Sequence, residues 1–141
     1  MSPQQFVAHL PLIDVLLDPL HFGSGNTLYE AMGEGTPIVT CPGAFARSRV
    51  VAGAYAQMGV ADAPVAASPE AYAPLALALG RDAGRRARLR AALKAAAADH
   101  LFADRAAVTE FETFLDAAVA AAGRGDHLPT GWRPLETTGA S

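Results

Sequence analysis

Hydrophobic and polar positions along the chain switch between two periods. Residues 13–17 (IDVLL) and 37–41 (PIVTC) are short, nearly unbroken apolar runs, the pattern of parallel strands buried on both faces. Between them lie a polar, glycine-rich stretch over residues 18–26 (DPLHFGSGN) and a helical pattern that opens at Thr27 and closes at Gly33 or Gly35. Pro42 and Gly43 break the second strand. Ser2, Pro3 and Gln5 form a helix-start signal ahead of a short helix over residues 6–10. Downstream, residues 47–58 read as a helix with Gly59 as its left-handed cap, and residues 60–66 as a third short strand. Ser68, Pro69 and Glu70 start a helix that runs toward Leu79 and stops at Gly80, with Pro74 expected to kink it or move its start. Alanine-rich helices are predicted over residues 87–98 and 105–122. In the second, Val108, Phe111, Phe114, Leu115 and Val119 recur at helical spacing and predict a packing face.

Strand, loop, helix, strand, helix, strand is the order of an α/β fold with a short parallel sheet and flanking helices. At 141 residues the chain is too short for a doubly wound domain with two mononucleotide halves and fits one half plus a helical carboxy-terminal end. Residues 1–122 read as this lobe. Residues 123–141, rich in Gly, Pro and Thr, read as a flexible tail, in which the Arg124-Gly125-Asp126 triplet is a chance occurrence.

Composition narrows the function classes. A net charge of -3 argues against a nucleic-acid-binding surface, which needs clustered positive charge. The one basic stretch, residues 81–94, is spaced like the solvent face of a helix. The single cysteine, Cys41, excludes an intrachain disulfide and reads as a buried strand residue, which suits a reducing cytoplasm. No Cys/His cluster has zinc spacing, no apolar run reaches the ~18 residues of a membrane span, and the first residues lack the character of a signal peptide. Nucleic acid, membrane and structural metal are therefore not expected as partners.

The informative segment is residues 17–40. A strand ends in a glycine-rich loop that feeds a helix, which places backbone N–H groups of the first helical turn at the carboxyl end of a parallel strand. Such a site binds phosphate through N–H donors and the helix dipole. Gly23 and Gly25 let the backbone approach an anion, Asn26 and Thr27 add side-chain donors, and Glu30, one turn on, can accept both hydroxyls of a ribose whose phosphates rest on the loop. The spacing suits a nucleoside diphosphate. It is neither the dinucleotide fingerprint nor a P-loop, because the third glycine of the first and the Gly-Lys-Ser/Thr of the second are missing. His21 reads either as a group touching the diphosphate or sugar, or as a loop histidine bonded to backbone. Asp18 followed by Pro19 reads as a turn starter. Arg47 and Arg49 stand where the next loop could meet phosphate, with a salt bridge within the lobe favoured for Arg49.

The run LDPLHFGSGNTLYEAMGEGTPIVTCPG resembles the O-GlcNAc transferase family, especially its bacterial SPINDLY-like members. Ser48-Arg49-Val50, Met58-Gly59-Val60, Glu70-Ala71-Tyr72 and Leu101-Phe102 are similar to family motifs in the same order, so that the resemblance covers roughly residues 11–119. It implies the Rossmann-like carboxy-terminal lobe of a GT-B glycosyltransferase, holding the UDP part of UDP-N-acetylglucosamine. Gly25, Asn26 and Thr27 fall where the family contacts the diphosphate and Glu30 where it holds the ribose. Ser24 and His21 join them as candidate donor-binding residues. Animal members have His-Thr-Thr and Asp at these places, so Gly-Asn-Thr and Glu look like the bacterial variant. Phe22 stands where retaining GT-B families with Glu-x7-Glu have an acid, and there is no Asp-x-Asp for a metal-bound diphosphate. The resemblance implies that no metal is needed. It also implies that the acceptor site and any catalytic base come from an amino-terminal lobe and tetratricopeptide repeats, in the same or a separate chain, with a protein as acceptor. No catalytic residue is assigned to these residues, and the chain is expected to be a fragment or split gene product. The alternative is a non-catalytic nucleotide-sugar-binding or protein-interaction module.

Overall fold

The structure, a computed structural model, describes residues 2–134. These form two compact units that divide between residues 103 and 104.

The first unit opens with α1 (Pro3–His9), whose capping box is the one the sequence predicts: Ser2 Oγ accepts from the Gln5 N–H and Gln5 Oε1 accepts from the Ser2 N–H. A 3-10 turn over Leu10–Leu12 leads to β1 (Leu16–Leu17), and α2 (Asn26–Gly33) connects it to β2 (Ile38–Val39). The two strands pair in parallel, with Leu16 opposite Ile38 and Leu17 opposite Val39. The region predicted as a third strand contributes a single parallel bridge, Thr40 to Val65. Pro64 and Pro42 bracket that bridge and supply no N–H to extend a ladder.

Strand β2 is the centre of the unit because both of its faces are covered. Ile38 enters a cluster with Leu28, Met32, Val51, Tyr55 and Leu93. Val39, pointing the other way, packs with Leu79 and Leu89. These come from α2, α3 (Val50–Gln57), α4 (Pro69–Arg81) and α5 (Ala83–Ala97). The helices thus flank the sheet on both sides, as expected for a Rossmann-like lobe. Gly59 adopts the predicted positive φ of 65° beyond α3.

Further elements differ from the sequence reading: β1 keeps only Leu16–Leu17 of the predicted 13–17, and β2 only Ile38–Val39 of 37–41. Helix α3 starts at Val50, not Arg47, because Ser48 Oγ accepts from the Gly43 N–H and donates to the Phe45 carbonyl, which folds Ala46–Ser48 into a separate 3-10 turn. Helix α4 passes through Pro74 and Gly80 without stopping; Asp82 then caps α5 by accepting from the Arg85 N–H. Helix α5 starts earlier than predicted, and its arginines are clamps as well as a solvent face. Arg85 pairs with Asp62 at 2.8 Å, Arg86 with Asp14 at 3.1 Å, and Arg90 donates to the Ile13 carbonyl at 3.0 Å. Beyond α5 a π-helical turn, Ala98–Phe102, brings Phe102 against Tyr29.

In the second unit α6 (Arg105–Gly123) is capped by the Asp104 carboxylate. Its predicted packing face is exposed among the described residues, apart from Phe111 stacked on Phe114 and Trp132 set edge-on against Phe114. Residues 135–141 of the predicted tail lie outside the described residues.

Tyr55 ties α3 to β2: its hydroxyl accepts from the Ile38 N–H at 2.8 Å and donates to the Ile38 carbonyl at 3.0 Å. Burial pushes the phenol far above its ordinary pKa, so it stays a donor. Tyr55→Phe leaves both backbone groups of Ile38 buried without this partner. It is expected to destabilise the chain by about 1–3 kcal/mol at unchanged m-value in urea denaturation. An unshifted midpoint would show that the hydroxyl is dispensable to the sheet.

Candidate functional site

The site is built from Asp18, the first residue after β1. Its N–H donates to the Val39 carbonyl at 2.9 Å, continuing the ladder, and its own carbonyl accepts from the Tyr72 hydroxyl at 2.7 Å. The side chain is 2% exposed; Oδ1 accepts from the Ser24 N–H at 2.6 Å and Oδ2 from the Thr40 hydroxyl at 2.7 Å. No described Lys, Arg or His forms an ion pair with it. Burying a carboxylate costs several kcal/mol, and these charge-assisted hydrogen bonds offset that cost. They also fold residues 18–24 back over the carboxyl end of β2. Burial and the Asp18 charge push the Tyr72 phenol up, which keeps it protonated and donating.

The two loop glycines serve different ends. The Gly23 N–H donates to the Arg47 carbonyl at 2.9 Å, and a Cβ on Gly23 would lie 3.0 Å from that oxygen and 3.3 Å from each Asp18 carboxylate oxygen. Gly23 thus packs closely on the loop's own support, where a side chain would press on the Arg47 carbonyl and the Asp18 carboxylate. A Cβ on Gly25 would meet nothing within 4 Å. Gly25 is the N-cap of α2, which begins at Asn26, one residue before the predicted Thr27. It supplies no capping side chain, and no acid stands in the first turn. An N-terminus left open in this way can receive an anion on its free N–H groups.

The candidate residues lie in one continuous stretch around this opening. His21, Gly25 and Asn26 are exposed, and Ser24, Thr27 and Glu30 are half-buried. Among the described residues no intramolecular hydrogen bond engages the side chains of Ser24, Asn26, Thr27 or Glu30, so their donors and acceptors are available to a ligand. His21 is held through its carbonyl, which accepts from Arg47 Nε at 3.1 Å. Across from this loop, the segment after β2 presents Phe45 with the Arg47 guanidinium 4.5 Å above its ring, and Arg49 donates to the Gly43 carbonyl at 2.9 Å. Asp18, Thr40 and Tyr72 were missed as site-building residues. The available signal was an acid at the carboxyl end of a strand, which a following proline made look like an ordinary turn. The hollows lined by Pro3, Val7 and Glu34 and by Val60, Arg88 and Leu89 contain none of the candidates. No group of three or more His, Cys, Asp or Glu among the described residues is placed to hold a metal ion, and no helix there is long and apolar enough to cross a membrane.

Asp18→Ala removes the acceptor of both Ser24 and Thr40, and is expected to destabilise the chain by about 2–4 kcal/mol and to speed amide exchange over residues 21–27. Asp18→Asn is expected to cost less, because the Thr40 hydroxyl can turn to accept from the new amide while its oxygen keeps Ser24. Denaturation and hydrogen exchange on both variants check this; equal stability of Asp18→Ala and wild type would remove Asp18 as the support of the loop.

A model of the family described as glycosyl transferase family 41 matches residues 3–111. Among solved structures, the chain is similar to a mutant of the O-GlcNAc transferase of Thermobaculum terrenum, at 32% identity and a TM-score of 0.70 over 83% of this chain. The chain spans 22% of that protein's length. No curated protein sequence matches. The family match takes in the whole of the parallel pair, the loop held by Asp18, α2 and the helices that flank them. On that match, and on the similarity of its α/β lobe to a bacterial O-GlcNAc transferase, the chain belongs to glycosyl transferase family 41.

Proposed function

We propose that this chain is the donor-binding part of a glycosyltransferase that moves a sugar, N-acetylglucosamine from UDP-N-acetylglucosamine, to a protein hydroxyl. The observation that carries the reading is the open N-terminus of α2, with Gly25 unobstructed and the side chains of Asn26, Thr27 and Glu30 unengaged beside it. The diphosphate rests on Gly25, Asn26 and Thr27, with Ser24 and His21 at its edge. The ribose hydroxyls reach Glu30. As the glycosidic bond to the sugar breaks, charge grows on the leaving diphosphate, and the first-turn N–H groups with the Thr27 hydroxyl are aimed at it. Helix dipole and side chains take the part that a metal plays in other glycosyltransferases.

The acceptor site and the base for the attacking hydroxyl are supplied by an amino-terminal lobe and tetratricopeptide repeats, in the same or a separate chain. The single cysteine suits a cytoplasmic setting. A second reading, a non-catalytic nucleotide-sugar-binding or interaction module, is favoured by the exposed Leu12 and Leu17 beside the sheet. The neighbouring coding sequence separates the two: an upstream frame encoding repeats and a second lobe supports the transferase.

With the donor half of the cleft alone, UDP is expected to bind at about millimolar Kd, or ~4 kcal/mol, and the isolated chain to transfer no sugar, because the acceptor and base are not oriented in one cleft. NMR titration with UDP, GDP and ADP should move the resonances of residues 24–30; no response there to any of the three sinks the assignment. In a complete transferase, Thr27→Ala is expected to lower kcat as well as affinity and Glu30→Ala mainly to raise KM, each by ~1–3 kcal/mol in steady-state kinetics.

A further inference from the structure

The loop over residues 18–27 contains no lysine or arginine, yet a nucleoside diphosphate brings two or more negative charges to it. It also lies over a buried carboxylate: Asp18 bonds Ser24, directly before Gly25. The helix end supplies only about half a positive charge. A cation is nevertheless held at this rim by three separate contacts. The Arg47 carbonyl accepts from the Gly23 N–H at 2.9 Å, its Nε donates to the His21 carbonyl at 3.1 Å, and its guanidinium lies 4.5 Å from the centroid of the Phe45 ring. Backbone and side chain of one residue thus grip both ends of the His21–Gly23 turn.

The state of this arginine differs from that of Arg85 and Arg86 on α5. Arg85 and Arg86 are neutralised by Asp62 and Asp14. Arg47 has no acidic partner among the described residues. It is exposed, and only its Nε is engaged, which leaves the two terminal nitrogens free to donate. Its seat on Phe45 and the Nε bond restrict the side chain, so less rotamer freedom is lost when an anion is bound.

We propose that Arg47 is a donor-positioning residue: held on the Phe45 ring and the His21 carbonyl, it pairs through its terminal nitrogens with the phosphates of the nucleoside diphosphate at the α2 N-terminus. This rests on the donor-site reading above and adds to it the charge that the loop itself lacks.

The test uses the 141-residue chain and NMR titrations with UDP and with uridine, in wild type and in Arg47→Gln and Arg47→Lys, with thermal melting of each. Arg47→Gln is expected to weaken UDP about five- to tenfold, the range of an exposed charge-assisted hydrogen bond, and to leave the response to uridine unchanged. Arg47→Lys should recover part of the loss, since it keeps the charge without the planar fork. The salt dependence of UDP binding should flatten in Arg47→Gln. Wild-type binding of UDP at residues 24–30 with no change in Arg47→Gln overturns the role of Arg47 and leaves the donor site standing. Equal weakening of UDP and uridine, with a lowered melting temperature, overturns it in favour of a loop-holding role. No wild-type response to UDP overturns the donor site and Arg47 with it.

Discussion

A buried carboxylate with no cationic partner among the described residues holds the loop over residues 18–24 to the sheet. Asp18 uses all of its polar atoms at once: N–H into the β1–β2 ladder, carbonyl to Tyr72, one carboxylate oxygen to Ser24 and the other to Thr40. A carboxylate at 2% exposure is tolerable only while those donors stay in place. The conformation of residues 18–24 is thereby coupled to the position of β2 and to α4, which carries Tyr72. Gly25 and the open end of α2 inherit their place from that strut. A loop rich in glycine and held by nothing would lose its order.

The strut works because β2 is itself held on every side. Ile38 and Val39 point into separate apolar clusters, and the Tyr55 hydroxyl closes on the Ile38 backbone. The α5 arginines extend this frame outward. Arg90 reaches the Ile13 carbonyl just before β1, and Gly35, at φ 76°, lies so close to Arg90 and Lys94 that a Cβ there would stand 2.9 Å from them. That position demands glycine twice over, for its backbone conformation and for the approach of α5. Short strands of this kind contribute few ladder hydrogen bonds, so the order of the sheet depends on the helices packed across it.

The glycines mark the limit of what could be read in advance. Gly23 and Gly25 stand two apart in one loop, and each reads as a place for backbone to meet an anion. Only Gly25 faces open space; Gly23 is pressed between the Arg47 carbonyl and the Asp18 carboxylate. The difference arises from Arg47, more than twenty positions away, and from the inward turn of the nearby Asp18 side chain, neither of which local pattern registers. Arg85, Arg86 and Arg90 pose the same problem. Their spacing along α5 is that of a solvated face, and their partners at Asp62, Asp14 and Ile13 are visible only when the chain has folded. The α6 stripe errs in the other direction: periodic apolar residues predict a helix, which forms, and a buried face, which is exposed among the described residues. Periodicity reports the helix and the side on which a partner would lie, but not whether one is there.

By itself the sequence determined the α/β order of elements, the parallel pairing of the segment that ends at Leu17 with the one that holds Ile38 and Val39, the capped start of α1, the glycine cap at Gly59, and the place where a strand hands over to a helix through a glycine-rich loop. These follow from local rules: side-chain period, proline and glycine dihedrals, and hydrogen bonds between near neighbours. The tertiary structure alone decided that Asp18 is a buried strut, that Gly23 is structural while Gly25 is open, that Arg47 sits on Phe45 at the rim, and that the third strand shrinks to one bridge. Each of these depends on which distant groups share a small volume after collapse. The energy of a buried charge or a close backbone approach is set by those neighbours and has no counterpart in the extended chain.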